Sequence, residues 1–373
     1  MMLYINVNET TLLVIGCLNI MESYLKNLPD SMKLLLITDQ HFGVRNDSPA
    51  YIEQYRKFYK DTVLPYIDKN KVTHIVNLGD TFDRRKTINF SSLDAAKEMW
   101  FDPIRERGIK MWMIVGNHDI YFKNTLKVNS PQLLLEDYPN IEIVDEPKDI
   151  NVGGLDILML PWRCEENTHK WRKIIEDTKS TVCLGHLELS QFDPIPGYTM
   201  DHGDDPAPFE KFDVVCSGHY HHRSCKGNIT YLGNPYQLYW NDFGTDRGFH
   251  ILNTKTKKLT FIKNPNNMFN KIYYRDSETA PIDYQSLNGT YVKLIVEKKE
   301  DQKMFDSKLS MILQSNPADL KIIEDTFMVL DEIDETIETE DTLSILNKCV
   351  AEVDHKDEVF GILKSLYVEA QRV

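Results

Sequence analysis

Short apolar runs alternate with helix-like spans from Lys33 to about Pro265. The runs have the length of buried strands and lie at 34–37, 74–78, 111–115, 182–184 and 214–216, with further strands predicted at 141–144, 155–160, 229–232 and 248–252. Two spans between them, 51–68 and 91–107, carry apolar residues at helical spacing, and Ser91 and Ser92 are the expected caps of the second. This alternation predicts an α/β sheet domain.

The pattern changes after a turn cluster at 264–267. A strand at 291–296, a helix at 304–313 and a strand at 320–323 predict a small α+β module, and two amphipathic segments follow in 342–373. These helices either pack on the parent domain or dock on a partner. The predicted organisation is an N-terminal extension (1–32), a catalytic domain (33–265), the small module (266–330), an acidic linker (331–341) and a helical segment (342–373).

The charge balance argues against a simple nucleic-acid binder. The 373 residues carry a net charge of −14, although the composition is otherwise that of an ordinary globular protein. Nine acids lie between Glu324 and Asp341 without any Lys or Arg, so this stretch accounts for most of the imbalance. We interpret it as a solvated linker.

The remaining sequence signals favour a cytoplasmic protein. The six cysteines form no C-x-x-C pair, and we expect buried thiols in a reducing cytosol. No apolar stretch reaches the roughly 18 residues of a membrane span, and the N-terminus lacks the features of a signal peptide. Residues 1–31 are either an upstream extension or an added element packed on the core.

Ligand-type residues come directly after five of the predicted strands in the sequence. Carboxylate, amide and imidazole groups are the ligands of hard-to-borderline divalent cations, and strand ends can aim them at one point. We predict seven metal ligands, which are Asp39, His41, Asp80, Asn117, His186, His219 and His221.

Position in the chain assigns roles to these residues. Asp80, after the turn glycine Gly79, is the natural bridge between two cations roughly 3.5–4 Å apart. Asp39 and His41, expected on one strand two positions apart, point to the same side and hold the first cation. We expect His221 to complete the shell of the first cation.

The other ligands serve the second cation. Asn117 offers a neutral oxygen, and His186 and His219 offer imidazoles. Next to Asn117, His118 is expected beside the metals as the catalytic residue that protonates or stabilises the leaving oxygen. Asp83 is expected to orient the His118 imidazole. The motifs together predict a two-metal phosphoesterase.

The motifs resemble the calcineurin-like metallophosphoesterase superfamily and, within it, the T-even phage branch of the SbcD-type DNA repair nucleases. They lie at 39–43 (DQHFG), 79–85 (GDTFDRR), 116–119 (GNHD), 231–238 (YLGNPYQL) and 247–249 (RGF). The resemblance implies a four-layer α/β/β/α sandwich, two Mn²⁺ ions with Mg²⁺ as an alternative, and a capping domain that guides DNA. Many relatives carry histidine at the position of Asp83, which weakens its assigned role.

The resemblance also implies duplex exonuclease and single-strand endonuclease activity in DNA recombination and double-strand-break repair. The expected partners are DNA and an SbcC-type ABC ATPase bound by the C-terminal helices, with a homodimer inside a heterotetramer. The place of action would be the host cytoplasm if the chain is phage-encoded. For DNA contact we select basic and aromatic residues after the metal motifs, namely Arg45, Arg84, Arg85, Lys86, Tyr121, Lys123 and Lys127.

Two other functions fit parts of the pattern. A phosphatase acting on phosphoproteins or small phosphoesters would use the same fold and metals. It would not need the small module and the C-terminal helices, and protein phosphatases usually have glutamate at the position of Asp119. An inactive scaffold for the ATPase is disfavoured because every ligand position is kept.

Overall fold

Two six-stranded sheets form the centre of the catalytic unit in the computed structural model. The structure describes residues 31–194, 197, 199–324 and the four helical positions Lys356, Val359, Ile362 and Leu363. In spatial order the first sheet contains β12 (Leu259–Lys263), β11 (Gly248–Asn253), β1 (Lys33–Ile37), β2 (His74–Asn77), β3 (Lys110–Ile114) and β4 (Ile141–Val144). The strands β1 to β4 run parallel, and β11 and β12 join as antiparallel neighbours.

The second sheet repeats this design. Its spatial order is β5 (Lys148–Val152), β6 (Leu155–Leu160), β7 (Val182–His186), β8 (Val214–Gly218), β10 (Ile229–Tyr231) and β9 (Ser224–Lys226). The four central strands are parallel, while β5 and β9 at the two edges pair antiparallel. In both sheets the parallel strands therefore bring their carboxyl ends to one edge.

The helices cover the outer faces of the sheets. α1 (Pro49–Phe58) continues through a π-helical turn (Tyr59–Val63) into α2 (Leu64–Asn70), and α3 (Phe90–Ala96) continues through a second one (Lys97–Phe101) into α4 (Asp102–Glu106). The short α5 (Ser130–Leu134) precedes β4, and α6 (Thr168–Asp177) lies between β6 and β7. The side chain of Asn89 caps α3, so the expected caps Ser91 and Ser92 lie inside the helix.

Three apolar clusters hold these layers together. Leu34, Leu36, Met159 and Leu184 belong to the core between the two sheets. Alternate residues of β1 pack instead against α1 to α4, where Trp100 is fully buried, and the outer face of the second sheet packs against α6. The predicted four-layer α/β/β/α sandwich is confirmed.

A third sheet follows the sandwich and has its own core. It contains the parallel strands β13 (Phe269–Arg275), β14 (Tyr291–Lys298) and β15 (Asp319–Glu324) in that order. The helix α7 (Gln302–Gln314) packs against one face through Phe305 and Ile312. Short 3-10 helices lie at Ala207–Lys211, Trp240–Asp242, Asp276–Glu278 and Tyr284–Leu287.

Parts of the predicted organisation lie outside the described residues. These are positions 1–30 of the extension, 325–330 of the small module, the acidic linker and nearly all of the C-terminal helical segment. The thiols of Cys164, Cys183 and Cys216 are buried as predicted, whereas Cys225 is exposed, and none of these four cysteines is disulfide-bonded. Among the described helices, none has the length and apolar character that crossing a membrane requires.

Candidate metal centre

The loops after β1 and β2 are held side by side by backbone hydrogen bonds. Asp39 N–H donates to Gly79 O at 2.9 Å, and His41 N–H donates to Asp80 O at 3.1 Å. The parallel register of the two strands continues in this way into the ligand loops. The sequence segments 39–41 and 79–80 are therefore brought together as predicted.

The backbone of these loops corrects one prediction. Asp39 and His41 were expected on one strand, but β1 ends at Ile37 and both residues lie in the loop after it. Their φ angles of 50° and 45° fall in the left-handed region, as do 52° at Asp80 and 84° at His219. Non-glycine residues adopt this region rarely and at an energetic cost, which is typical of functional sites.

The first ligand cluster contains Asp39, His41 and His221, whose ligand atoms lie within 4.8 Å of one another. Nε2 of His41 lies 3.0 Å from Nε2 of His221, and the latter lies 3.9 Å from Asp39 Oδ1. Asp39 and His41 are buried, whereas His221 is partly exposed. One side of this cluster thus remains open to a ligand from solvent.

The second cluster contains Asp80, His186 and His219. Asn117 joins it through its side-chain oxygen, which lies 2.9 Å from His186 Nε2 and 3.0 Å from His219 Nδ1. The other ring nitrogen of His186 lies 2.7 Å from Leu78 O, so Nδ1 donates its proton there and Nε2 is the ring atom that faces the cluster. The four residues assigned to the second metal are therefore adjacent.

Asp80 lies between the two clusters. Its Oδ1 accepts a hydrogen bond from His118 N–H at 2.8 Å. Its Oδ2 lies 3.3 Å from His186 Nε2 and 3.9 Å from His41 Nε2. The carboxylate is thus fixed by the backbone on one oxygen and faces both clusters with the other, as a bridging ligand would.

Glycines allow the strand ends to approach this closely. A Cβ on Gly79, whose φ is 105°, would lie 2.5 Å from His186 Nδ1. A Cβ on Gly116 would overlap Asp80 Oδ1. Any larger residue at either position would displace a predicted ligand.

Burial and charge work against each other in the centre. Burial raises the pKa of Asp39 and lowers that of His221 well below its usual range. Burial also opposes the charging of His186, but Asp80 and Asp39 outweigh it and raise the pKa of His186 to about 9. Buried charges of both signs are costly unless they are paired or neutralised by a cation.

The donor set fits two divalent cations. Each cluster offers oxygen and imidazole nitrogen atoms, and the two facing Nε2 atoms of His41 and His221 converge as metal ligands do. Divalent cations would take the place of the protons that otherwise compensate the carboxylates. The first cluster together with Asp80 corresponds to the predicted shell of the first cation. The second cluster together with Asn117 corresponds to the predicted shell of the second.

His118 lies beside the clusters and is partly buried. Its ring is 4.8 Å from the ring of His41, centroid to centroid. Its Nδ1 lies 2.7 Å from the backbone oxygen of Asp83 and donates to it, which leaves Nε2 to face other groups. With His41 and Asp83, His118 also forms a third group whose ligand atoms lie within 4.8 Å of one another, so its place outside the metal shells stays a prediction.

The Asp83 carboxylate contacts a different partner from the predicted one. We expected it to orient His118, but its Oδ1 lies 3.2 Å from Nδ1 of His41. Burial opposes the charging of His41, yet the adjacent carboxylates of Asp83 and Asp80 outweigh it and raise its pKa to about 9. Asp83 therefore lies against the predicted ligand His41 with its side chain and holds His118 with its backbone.

Two supporting residues received little or no role from the sequence. The Asp119 carboxylate accepts hydrogen bonds from Asp80 N–H and Gly116 N–H, both at 2.9 Å, and joins the second and third motifs. Arg247 is buried, pairs with Asp242 at 2.6 Å and donates to His221 O. The RGF pattern at 247–249 singled out Arg247 in the sequence, but it did not show that Arg247 contacts His221.

The residues selected for DNA contact lie in several environments. The Arg45 guanidinium lies 4.9 Å above the ring of Tyr239, and Lys86 lies 5.8 Å above the ring of Tyr121, which is 42% exposed. Arg84 lies 3.8 Å from Asp47, and Lys127 pairs with Glu166 at 2.8 Å. Arg85 and Lys123 also have interaction partners.

Comparisons with known proteins agree on the class of this domain. Residues 32–223 match the family model described as calcineurin-like phosphoesterase. The protein named exonuclease subunit 1 from Enterobacteria phage T4 is 32% identical over 315 residues, which cover 83% of this chain and 87% of the phage protein.

Two solved structures show a more distant similarity. An archaeal phosphodiesterase is 13% identical, with a TM-score of 0.33, and the match covers 62% of this chain and all of the archaeal chain. A dimetal phosphatase from Danio rerio is 11% identical, with a TM-score of 0.38 and coverage of 62% and 95%.

Proposed function

The chain belongs to the calcineurin-like phosphoesterase family and is a metal-dependent phosphodiesterase, and we propose that it is the nuclease subunit of a DNA-processing complex. Asp80, placed between two ligand clusters with His118 beside them, is the observation that carries this proposal. The T4 relative that covers most of the chain is named as an exonuclease subunit and supports DNA as the substrate.

The centre is suited to hydrolysis of a phosphodiester. A pair of divalent cations in such a site lowers the pKa of a water molecule and neutralises charge that develops on the phosphate. Asp39, His41 and His221 would hold the first cation, and Asn117, His186 and His219 the second, with Asp80 shared. We propose Mn²⁺ as the metal, with Mg²⁺ as the alternative.

His118 would act on the leaving oxygen. The hydrogen bond from Nδ1 to Asp83 O fixes the ring and leaves Nε2 as the atom that carries or accepts the transferred proton. The ring is only partly buried, so a substrate phosphate can approach it from solvent. No other described histidine outside the predicted ligands lies this close to His41.

The proposed activities are duplex exonuclease and single-strand endonuclease cleavage, in recombination and double-strand-break repair. The word subunit in the name of the T4 relative supports a partner, and we propose an SbcC-type ABC ATPase bound by residues 342–373. We further propose a homodimer within a heterotetramer that works in the host cytoplasm of a phage.

A cleavage assay tests the function directly. We predict that the purified full-length chain with Mn²⁺ cleaves duplex DNA and bis(p-nitrophenyl) phosphate, and that it prefers this bis-ester to p-nitrophenyl phosphate. His118→Ala should lower cleavage by roughly 10²–10⁴-fold, the usual contribution of acid–base catalysis, without changing the bound Mn²⁺. Asn117→Ala should lower both the cleavage rate and the amount of bound Mn²⁺, because it removes an oxygen from the second cluster.

The controls separate the nuclease from a phosphatase. His169→Ala changes an exposed histidine and should leave cleavage and metal content as in the wild type. A clear preference of the wild type for the mono-ester would support the phosphatase and contradict our proposal. Normal cleavage by His118→Ala would show that the catalytic assignment is wrong.

A further inference from the structure

Gln237 is a buried amide that joins the third sheet to the catalytic sandwich. It lies in the YLGNPYQL motif at 231–238 and is 3% exposed. Its Oε1 accepts hydrogen bonds from Met268 N–H at 2.9 Å and from Phe269 N–H at 3.0 Å, at the start of β13. Its Nε2 donates to Asp242 O at 3.0 Å. Both ends of the amide are therefore used to link two segments of the chain.

Asp242 is the branch point of this link. Its Oδ2 accepts hydrogen bonds from Leu238 N–H at 2.7 Å and from Tyr239 N–H at 3.2 Å. Its Oδ1 accepts from the guanidinium of Arg247 at 2.6 Å. Asp242 is 4% exposed and Arg247 is 5% exposed, so both charges of the pair are buried. A buried pair of this kind is stable only when its remaining donors and acceptors are also bonded.

Arg247 carries the link to His221, a predicted ligand of the first cation. Its Nη1 donates to His221 O and to Asn234 Oδ1, and its Nε donates to Thr245 Oγ1 at 3.0 Å. The planar guanidinium fixes the directions of these bonds, which a lysine could not do. His221 O also accepts from Asn234 N–H at 3.3 Å. The backbone of His221 is therefore held by two donors.

A second branch reaches the ring of His221. Tyr239, whose N–H donates to Asp242, places its ring parallel to the imidazole, with 6.5 Å between the two centroids. The side chain of His221 is 27% exposed, so burial alone does not fix this ligand. His186 differs, because it is fully buried and its own ring donates to Leu78 O. The two clusters thus depend on different supports.

We propose that Gln237 is a positioning residue for the first cation and acts through His221. Asp242 and Arg247 transmit its position, and the start of β13 is the fixed support. This inference rests on the proposed function, because it places His221 in the first metal shell. A metal ligand has to be held within about 0.5 Å of its productive position, so a remote supporting partner changes metal affinity. Loss of the network should weaken the first site and spare the second.

The test measures Mn²⁺ binding by the full-length chain, using electron paramagnetic resonance of the free ion. Gln237→Met removes both functions of the amide at nearly constant volume. Arg247→Lys keeps a charge beside Asp242 but loses the fork of donors. The matched control is Thr254→Val, which removes the hydrogen bond that this buried residue accepts from Met32 N–H at 3.0 Å. The control lies at the end of the first sheet away from the ligand loops.

We expect Gln237→Met and Arg247→Lys to weaken one of the two Mn²⁺ sites by about 10–100-fold and to leave the other within about twofold. Thr254→Val should bind both ions as the wild type does. In a His221→Ala background, Gln237→Met should cause no further loss of affinity, because the ligand on which it acts is gone. In an Asn117→Ala background, which weakens the second site, the loss at the first site should remain.

Equal loss at both sites, or a further loss in the His221→Ala background, would overturn the inference and show that the network only stabilises the fold. Thermal unfolding followed by circular dichroism checks that each variant is folded. If Gln237→Met does not fold, Arg247→Lys decides, and wild-type affinity at both sites in that variant would overturn the inference. A wild type that binds two Mn²⁺ ions but hydrolyses neither DNA nor the bis-ester would refute the proposed function and leave this inference standing.

Discussion

Asp83 shows how one residue can serve two neighbours with different atoms. Its carboxylate lies 3.2 Å from Nδ1 of His41, and its carbonyl accepts from Nδ1 of His118 at 2.7 Å. The carboxylate role would survive in any residue that accepts a hydrogen bond, whereas the carbonyl role is independent of the side chain. A different residue at this position can therefore keep the orientation of His118.

Replacement of the Asp83 side chain should affect metal affinity before it affects catalysis. We expect Asp83→Ala to weaken Mn²⁺ binding by about 10–100-fold, the usual effect of losing a partner that orients a ligand histidine. Asp83→Asn should lose less Mn²⁺ affinity, because its side-chain oxygen can still lie beside Nδ1 of His41. Electron paramagnetic resonance of free Mn²⁺ measures the affinity.

Excess metal distinguishes this role from the one we first expected. If Asp83 acts through His41, cleavage by Asp83→Ala should recover at high Mn²⁺. If the side chain acted through His118, affinity for Mn²⁺ would stay at the wild-type value and excess metal would not restore the rate.

At the scale of elements, the strands of the first sheet bury polar as well as apolar groups. His250 lies in β11, is 2% exposed and packs on Phe261 with 5.1 Å between ring centroids. Its Nδ1 has no hydrogen-bond partner among the described residues. Burial lowers the pKa of His250 to about 3, so the folded chain keeps this ring neutral.

This buried ring should make the fold sensitive to acid. Below the unfolded pKa of about 6.5 the unfolded chain binds a proton that the folded chain refuses, so stability falls as pH drops from about 6.5 towards 3. We expect a contribution of roughly 1 kcal/mol per pH unit in that window. Urea unfolding of the metal-free protein at pH 7 and pH 5 measures it.

The stability of the wild type at each pH is compared with that of two leucine variants. His250→Leu should lose less stability between pH 7 and pH 5 than the wild type, because the titrating ring is gone. His169→Leu alters an exposed histidine and should follow the wild type. Identical pH dependence in all three proteins would contradict the assignment of acid sensitivity to His250.

At the scale of the whole molecule, the catalytic sandwich and the third sheet pack within one compact unit up to Glu324. The capping role of the third sheet and the partner role of residues 342–373 remain predictions. Of the described positions in the latter segment, Ile362 is an apolar residue that is 62% exposed.

The C-terminal segment should bind the ATPase and have no part in the chemistry. We expect deletion of 342–373 to abolish capture of an SbcC-type ABC ATPase in a pull-down, while Mn²⁺-dependent hydrolysis of the small bis-ester stays within about twofold. Ile362→Glu should weaken capture by roughly tenfold, the usual range for an apolar interface residue. Lys356→Glu, at an exposed polar position, is the matched control. Unchanged capture by the truncated chain would assign this segment another role.

The sequence by itself determined the α/β class of the domain and the list of predicted ligands, for a local physical reason, whereas the four-layer arrangement was implied by the family resemblance. Buried parallel strands are continuous apolar runs, and the polar residues directly after them must lie at the sheet edge, so 34–41, 74–83 and 111–119 could be recognised one by one. The strand β13, which mixes lysine and asparagine with apolar residues, escaped recognition because its pattern is weak.

Tertiary structure alone decided which partner each side chain meets. The left-handed backbone of Asp39 and His41, the contact of Asp83 with His41 rather than His118, and the bond from Arg247 to His221 O depend on loops packed against one another. The hydrogen bonds between Gln237 and the start of β13 likewise depend on the packing of segments that are separate in the sequence. Periodicity fixes the face on which a residue lies, but only packing between distant segments fixes what lies opposite to it.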